Sequence, residues 1–302
     1  MAAFIKVIDE DGKTYYGGNQ AWFESNTRAR AGCGPVSGAN VLLMLARNSH
    51  EIANKLNITF ENDGSITKSN YVAFMNDVYA TMKTWEVPIL RKIYDRCKRD
   101  NKFFQKVSAN NGRSICGYLR GVLKYAKKHG VYLESHALPT AFCSDELGFE
   151  FIKEGLKSAE AVCLLTSYNK HSLTLFRGEY DCVNSAYQAQ EKMHNHFVTI
   201  TNYERYTQKV NPTSTCNSSS ACNLDSPKTD VIKISVSTWG RIAQIDYHEL
   251  ATTWQSRKAV DSALMYFTIA ESPEMTDLCI KRAARTLRTA LLHTIFKKHT
   301  TL

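Results

Sequence analysis

Between Gly32 and Arg47 the chain reads Gly-Cys-Gly-Pro-Val-Ser-Gly-Ala-Asn-Val-Leu-Leu-Met-Leu-Ala-Arg. From Pro35 onward the spacing predicts a helix, with Val36, Ala39, Asn40, Leu43 and Ala46 or Arg47 along one side. The other positions, Val41, Leu42 and Leu45, are apolar as well. A helix that is apolar nearly all round has no face to offer water, so it must be a buried helix. Gly-Cys-Gly-Pro supplies its start, with small residues at the turn and Pro in the first turn, where a missing N–H costs nothing. Cys33 is thereby placed at the N-terminus of a central buried helix, between two glycines that are expected to leave its sulfur uncovered.

The remainder divides into a helical middle and a strand-rich last third. FIKVIDEDGKTYYGG predicts two strands joined at a DG turn. Residues 69–130 are apolar at three- and four-residue spacing in two stretches, and residues 146–168 predict a helix followed by the buried strand AVCLLTS. HNHFVTITNYE and DVIKISVSTWG alternate as strands, and RIAQIDYHEL continues the alternation. Between the first two lies a polar, turn-rich stretch, residues 206–229, expected to be an exposed loop. SALMYFTIA predicts a last strand, and residues 274–298 a helix with Leu278, Leu287, Leu291 and Ile295 on one stripe. The expected class is α+β: a central helix carrying Cys33 packed on an antiparallel sheet, with an additional helical region.

Composition narrows the functional classes. Hydrophobic residues make up 43% of the 302, enough for a sizeable core, which excludes overall disorder. No apolar run is long enough to span a membrane, and the N-terminus has neither the basic start nor the apolar run of a secretory signal; a cytosolic protein is expected. In that compartment nine scattered Cys do not read as a disulfide framework. Cys216 and Cys222 have no nearby His, so no metal site and no cofactor is expected. The net charge of +9 is uneven: residues 83–128 carry thirteen Lys/Arg against three acids, and residues 278–302 carry six Lys/Arg and no acid. Solvated helix faces account for this; nucleic acid as a partner is the sharper but less favoured reading, since no zinc-finger, RNA-recognition or KH motif accompanies the charge.

The chemistry-bearing residues form an ordered set. A thiolate at neutral pH is stabilised by a helix N-terminus and by an imidazolium, and Cys33 has the first of these. His196 opens an alternating strand that could face it as the base, with His194 as the competitor two residues away. A third group should hold the imidazole; Ser237, in Ser-Thr-Trp-Gly at the end of the next strand, is the candidate. Oxyanion donors would be the Cys33 N–H and the side chain of Gln20, thirteen residues upstream, with Asn19 as the alternative.

The order Gln20, Gly32-Cys33-Gly34-Pro35, His196-Phe197-Val198-Thr199-Ile200, Ser237-Thr238-Trp239-Gly240 resembles the papain-like cysteine peptidases. Cys-Gly-Pro running into Asn-Val-Leu is most similar to their compact bacterial branch, related to the bacteriocin-leader-processing peptidases. The resemblance covers roughly residues 15–47 and 160–250 and implies one papain-like domain over residues 1–302, with 15–50 and 160–270 as catalytic core; the basic helical lobe at 69–130, expected as an insertion, and the C-terminal helix at 274–298 have no counterpart in it. It implies a thiol hydrolase acting on a peptide or protein substrate, with Cys33, His196, Ser237 and Gln20 catalytic. Ser237 stands where that family places Asn, or Asp in the compact branch; a hydroxyl orients an imidazole more weakly. The same Cys/His machinery also serves acyl transfer and deamidation, as in transglutaminases. A decayed site that binds partners through the basic lobe is the non-enzymatic alternative.

Overall fold

The computed structural model describes residues 4–82, 115–140, 143–166, 172–177, 188–193, 196–209, 228–254 and 262–283. His194, the 210–227 part of the polar loop, Cys97, Cys182, Cys216 and Cys222, most of the basic 83–128 segment and residues 284–302 lie outside them.

The chain opens with β1 (Lys6–Ile8) and β2 (Thr14–Tyr16), joined through the expected DG turn, with Gly12 at φ +77°. A single 3₁₀ turn (Gln20–Trp22) leads to α1 (Asn26–Ala31), α2 (Cys33–Arg47) and α3 (His50–Lys55). β3 (Ile66–Thr67) and α4 (Lys68–Thr81) follow, then α5 (Ile115–Lys128), β4 (Leu133–Pro139), α6 (Asp145–Ala159), β5 (Val162–Leu165), β6 (Leu173–Arg177) and β7 (Gln188–Met193). The last part holds β8 (Phe197–Lys209), β9 (Lys228–Thr238), β10 (Arg241–Asp246), α7 (Tyr247–Trp254) and β11 (Ala263–Ile269), with residues 273–283 helical.

The fold is mixed α and β. Eight strands form one antiparallel sheet in the order β4-β11-β5-β8-β9-β10-β6-β7, and β2-β1-β3 form a small second sheet. Both faces of the large sheet are covered. One bears α2, α4 and α5: Leu42, Tyr71, Met75, Tyr118 and Val122 share a core with Cys163, Phe197 and Met265. The other bears α6 and α7, where Ile152, Leu250 and Trp254 pack with Leu164, Val198, Ile200 and Val236. Strand alternation explains the division: Val162, Leu164, Val198 and Ile200 go to one core, Cys163, Leu165 and Phe197 to the other.

Every residue of α2 from Cys33 to Ala46 is buried, as the all-round apolar pattern requires. The stretch read as an inserted lobe contributes directly to this packing, since α4 and α5 enclose α2 with their apolar faces. One expectation fails at the end of β10. The strand stops at Asp246, whose Oδ1 accepts from the N–H groups of His248 and Glu249 and so starts α7. Among the described residues no helix is long and apolar enough to cross a membrane.

Candidate active site

Cys33 opens α2 directly after Gly32, which follows the last residue of α1. The glycine serves packing: a Cβ on Gly32 would lie 2.4 Å from the Phe23 ring and 2.6 Å from the Arg28 carbonyl. The expectation that the flanking glycines uncover the sulfur is corrected accordingly, because Cys33 is only 8% exposed.

His196 immediately precedes β8. Its N–H donates to Thr166 Oγ1 at 3.0 Å, and its carbonyl accepts from the Thr166 N–H at 2.9 Å, which pins it to the end of β5. The residue is 7% exposed, and burial lowers the imidazole from an ordinary 6.5 to about 4. At neutral pH the ring is therefore uncharged. Burial thus disfavours the imidazolium expected from the sequence and leaves a neutral ring with an open acceptor nitrogen, a weaker base than a free imidazole.

The group that holds the ring is Thr238, whose Oγ1 lies 3.0 Å from His196 Nε2. Ser237, the residue expected there, donates its hydroxyl to the Tyr16 carbonyl at 2.7 Å. The reason is the pleat. Ser237 pairs with Thr199 across β8–β9, and both hydroxyls lie within 3.5 Å of Asn40 on the α2 side. Thr238, one residue on, takes the opposite parity, which His196 shares by preceding β8. Trp239 stacks on the imidazole with ring centroids 4.6 Å apart and planes 23° apart. It does so from the left-handed region, at φ +48°, followed by Gly240 at +74°. Two such residues make the tight turn between β9 and β10; a bulky side chain at the first is strained, and strain of this kind gathers at functional sites.

Gln20 starts the 3₁₀ turn, and its buried Oε1 has no hydrogen-bond partner. Asn19, its alternative, caps that turn instead by accepting from the Ala21 N–H at 2.9 Å. Gln20, Cys33, His196, Ser237, Thr238 and Trp239 line one cavity of about 10 Å³. That is roughly the room of one water or one carbonyl oxygen. Four separate segments of the chain thus converge on a single small space. Thr238 is the contributor that sequence reasoning misses; the alternation of β8 and β9 is the signal that could find it.

Three other described thiols differ from Cys33 in setting. Cys163 lies beneath the site with Ser37 Oγ 3.2 Å from its sulfur, and burial pushes it up to about 12. Burial also raises Cys116 and Cys143. The chain matches no model of a known protein family, no curated protein and no solved structure.

Proposed function

We propose that the protein is a papain-like cysteine hydrolase of amide bonds. The observation that carries this reading is the convergence on one small cavity of a thiol at a helix start, a neutral imidazole held by a hydroxyl, and a side-chain amide. The mechanism uses the tautomer in which His196 Nε2 carries the hydrogen and donates to Thr238 Oγ1, 3.0 Å away, so that Nδ1 is the proton acceptor. The Cys33 proton passes to Nδ1 and the sulfur attacks the substrate carbonyl carbon. Gln20 Nε2 donates to the oxyanion. His196 returns the proton to the departing amine as the C–N bond breaks. Water, deprotonated by the same ring, then attacks the thioester, releasing the acid and restoring the thiol.

Iodoacetamide tests the first requirement. Cys33 should be alkylated well ahead of Cys163, Cys116 and Cys143, as mapped by peptide mass spectrometry. In Cys33→Ala, acylation by an activated ester or peptide substrate should vanish while the circular dichroism stays unchanged, since Ala is tolerated at a helix start. Turnover retained in that variant would overturn the mechanism.

A further inference from the structure

Beneath the cavity lies a layer of buried polar groups, and one of them reaches every segment that carries a site residue. Asn40 is two turns along α2 from Cys33 and 4% exposed. The Gly18 N–H, which can only donate, lies 3.1 Å from one atom of its amide and so identifies that atom as Oδ1. The Tyr71 hydroxyl donates to the same oxygen at 2.7 Å. Nδ2 faces Ser237 Oγ at 3.4 Å and Thr199 Oγ1 at 3.5 Å. A side-chain amide offers two donors and two acceptor sites, and here all four are engaged.

The approach is built into the backbone. Gly17 has φ +73°, and a Cβ there would sit 2.2 Å from Ser237 Oγ and 2.9 Å from the Asn40 amide. A Cβ on Gly18 would sit 2.1 Å from the Tyr71 hydroxyl. The two glycines let the chain down onto Asn40 two residues before Gln20. Ser237 adjoins Thr238, and Thr199 lies three residues beyond His196. An apolar residue would serve the burial of α2 as well as its neighbours do, whereas a buried amide is tolerated only when its bonds are made.

We propose that Asn40 is a positioning residue. It fixes the Gly18–Gln20 segment against α2 and the ends of β8 and β9, and so aims the Gln20 amide at the acyl group bound to Cys33. This rests on the cysteine-hydrolase reading above. Burial pushes the Tyr71 hydroxyl well above its ordinary range, which keeps it a donor to Asn40.

Two reactions of Cys33 separate positioning from folding. Iodoacetamide alkylates the sulfur without forming an oxyanion. With 4-nitrophenyl acetate the sulfur attacks the carbonyl, 4-nitrophenolate leaves, and water cleaves the acetyl thioester to acetate. Asn40→Ala should leave the alkylation rate unchanged and lower the acylation rate about 10²-fold, the loss that follows a misplacement of about 1 Å. Gln20→Ala should lower acylation about 10²–10³-fold. The double variant should be no slower than the worse single one, since both act through one contact. Unchanged acylation in Asn40→Ala, multiplied losses in the double variant, or equal losses in alkylation and acylation would each overturn the proposal. If Asn40→Ala does not fold, Tyr71→Phe keeps the ring and removes the hydroxyl, with its 2.7 Å bond to Oδ1 and its contact with the Gly18 backbone. Slower acylation with unchanged alkylation then supports the positioning role, and unchanged acylation overturns it. Wild-type protein whose Cys33 shows no selective alkylation overturns the hydrolase reading and the positioning role together; selective alkylation with insensitive Asn40 variants overturns the positioning role alone.

Discussion

The two faces of the large sheet are built on different terms. Under α6 and α7 the core is chiefly aliphatic and aromatic, closed so tightly that a Cβ on Gly148 would lie 2.1 Å from the Trp254 ring. Under α2 the core is equally buried, yet Ser37, Asn40, Tyr71, Tyr118, Cys163 and Thr199 bring polar atoms into it and bond to one another. Net gains from buried hydrogen bonds are small beside those from apolar packing. The polar layer therefore adds little stability that methyl groups would not. What it does is fix relative positions, and it lies directly below the cavity that Cys33 and His196 share. The α6–α7 face contributes packing alone, and the α2 face contributes packing together with a geometry.

Truncating a residue on each face puts this division to the test. Trp254→Ala should destabilise the protein by about 3–5 kcal/mol, the range for removing a large buried aromatic. In what remains folded, the alkylation rate of Cys33 should be unchanged. Cys33→Ala should do the reverse, with denaturant midpoints near wild type and no acylation. If Trp254→Ala slows alkylation of the folded fraction, the two faces are coupled and the division of labour fails.

The next largest effect belongs to His196. His196→Ala should lower acylation by about 10²–10⁴-fold, the usual contribution of a positioned base. The wild-type pH profile adds a second check. With the imidazole lowered from 6.5 to about 4, its base form persists between pH 7 and pH 5, so acylation per folded molecule should stay flat across that range. An inflection near 6.5 would mean that His196 is not the base. The same lowering acts on stability. Between about 4 and 6.5 the unfolded chain binds a proton that the folded chain does not, so stability rises with pH through this window and is lost as pH falls from 6.5 to 4. At about 1.4 kcal/mol for each pH unit of the window, the loss is on the order of 3 kcal/mol. Urea titrations at pH 7 and pH 4.5 should show it in wild type and not in His196→Ala.

Much of this is legible in the chain, for reasons that differ by residue. α2 is plain because burial on all sides leaves it apolar nearly all round, with only Ser37 and Asn40 polar between Cys33 and Ala46. β8 and β9 are plain because alternation and β-branching mark strands, and β5 and β11 because a short apolar run marks a strand buried on both faces. β4, with His136 and Glu134 half-buried at the sheet edge, shows no such contrast and escapes a reading by pattern. α1 and α3, of six residues each, are too short to display a period. The start of α7 is hidden because its signal is one capping aspartate inside an alternating stretch. Within the site, residue type and order single out Cys33, His196 and Gln20, and the structure brings them to one cavity. The partner of the imidazole is misassigned when position in a motif is used where strand parity decides. Asn40 stands in the helix pattern as one more inward residue; only its four contacts distinguish it.

The smallest effect tests that parity. Thr238 Oγ1 meets the imidazole, whereas the Ser237 hydroxyl donates to the Tyr16 carbonyl. Thr238→Ala should lower acylation about tenfold, since a neutral hydroxyl supplies one bond worth roughly 1 kcal/mol. Thr238→Ser should recover most of it, because the oxygen is retained and Trp239 still covers the ring. Ser237→Ala should differ in kind. It removes the bond to Tyr16 and one acceptor for the Asn40 amide, both on the α2 side, so its acylation loss should be sub-additive with Asn40→Ala and multiplicative with Thr238→Ala. The opposite pattern, with Ser237→Ala additive to Asn40→Ala and masked by Thr238→Ala, would return the orienting role to Ser237 and place the strand register one residue off. The double-variant rates decide between the two, because the two hydroxyls are neighbours in sequence but sit in separate hydrogen-bond chains, one ending on the imidazole and the other on the segment that carries Gln20.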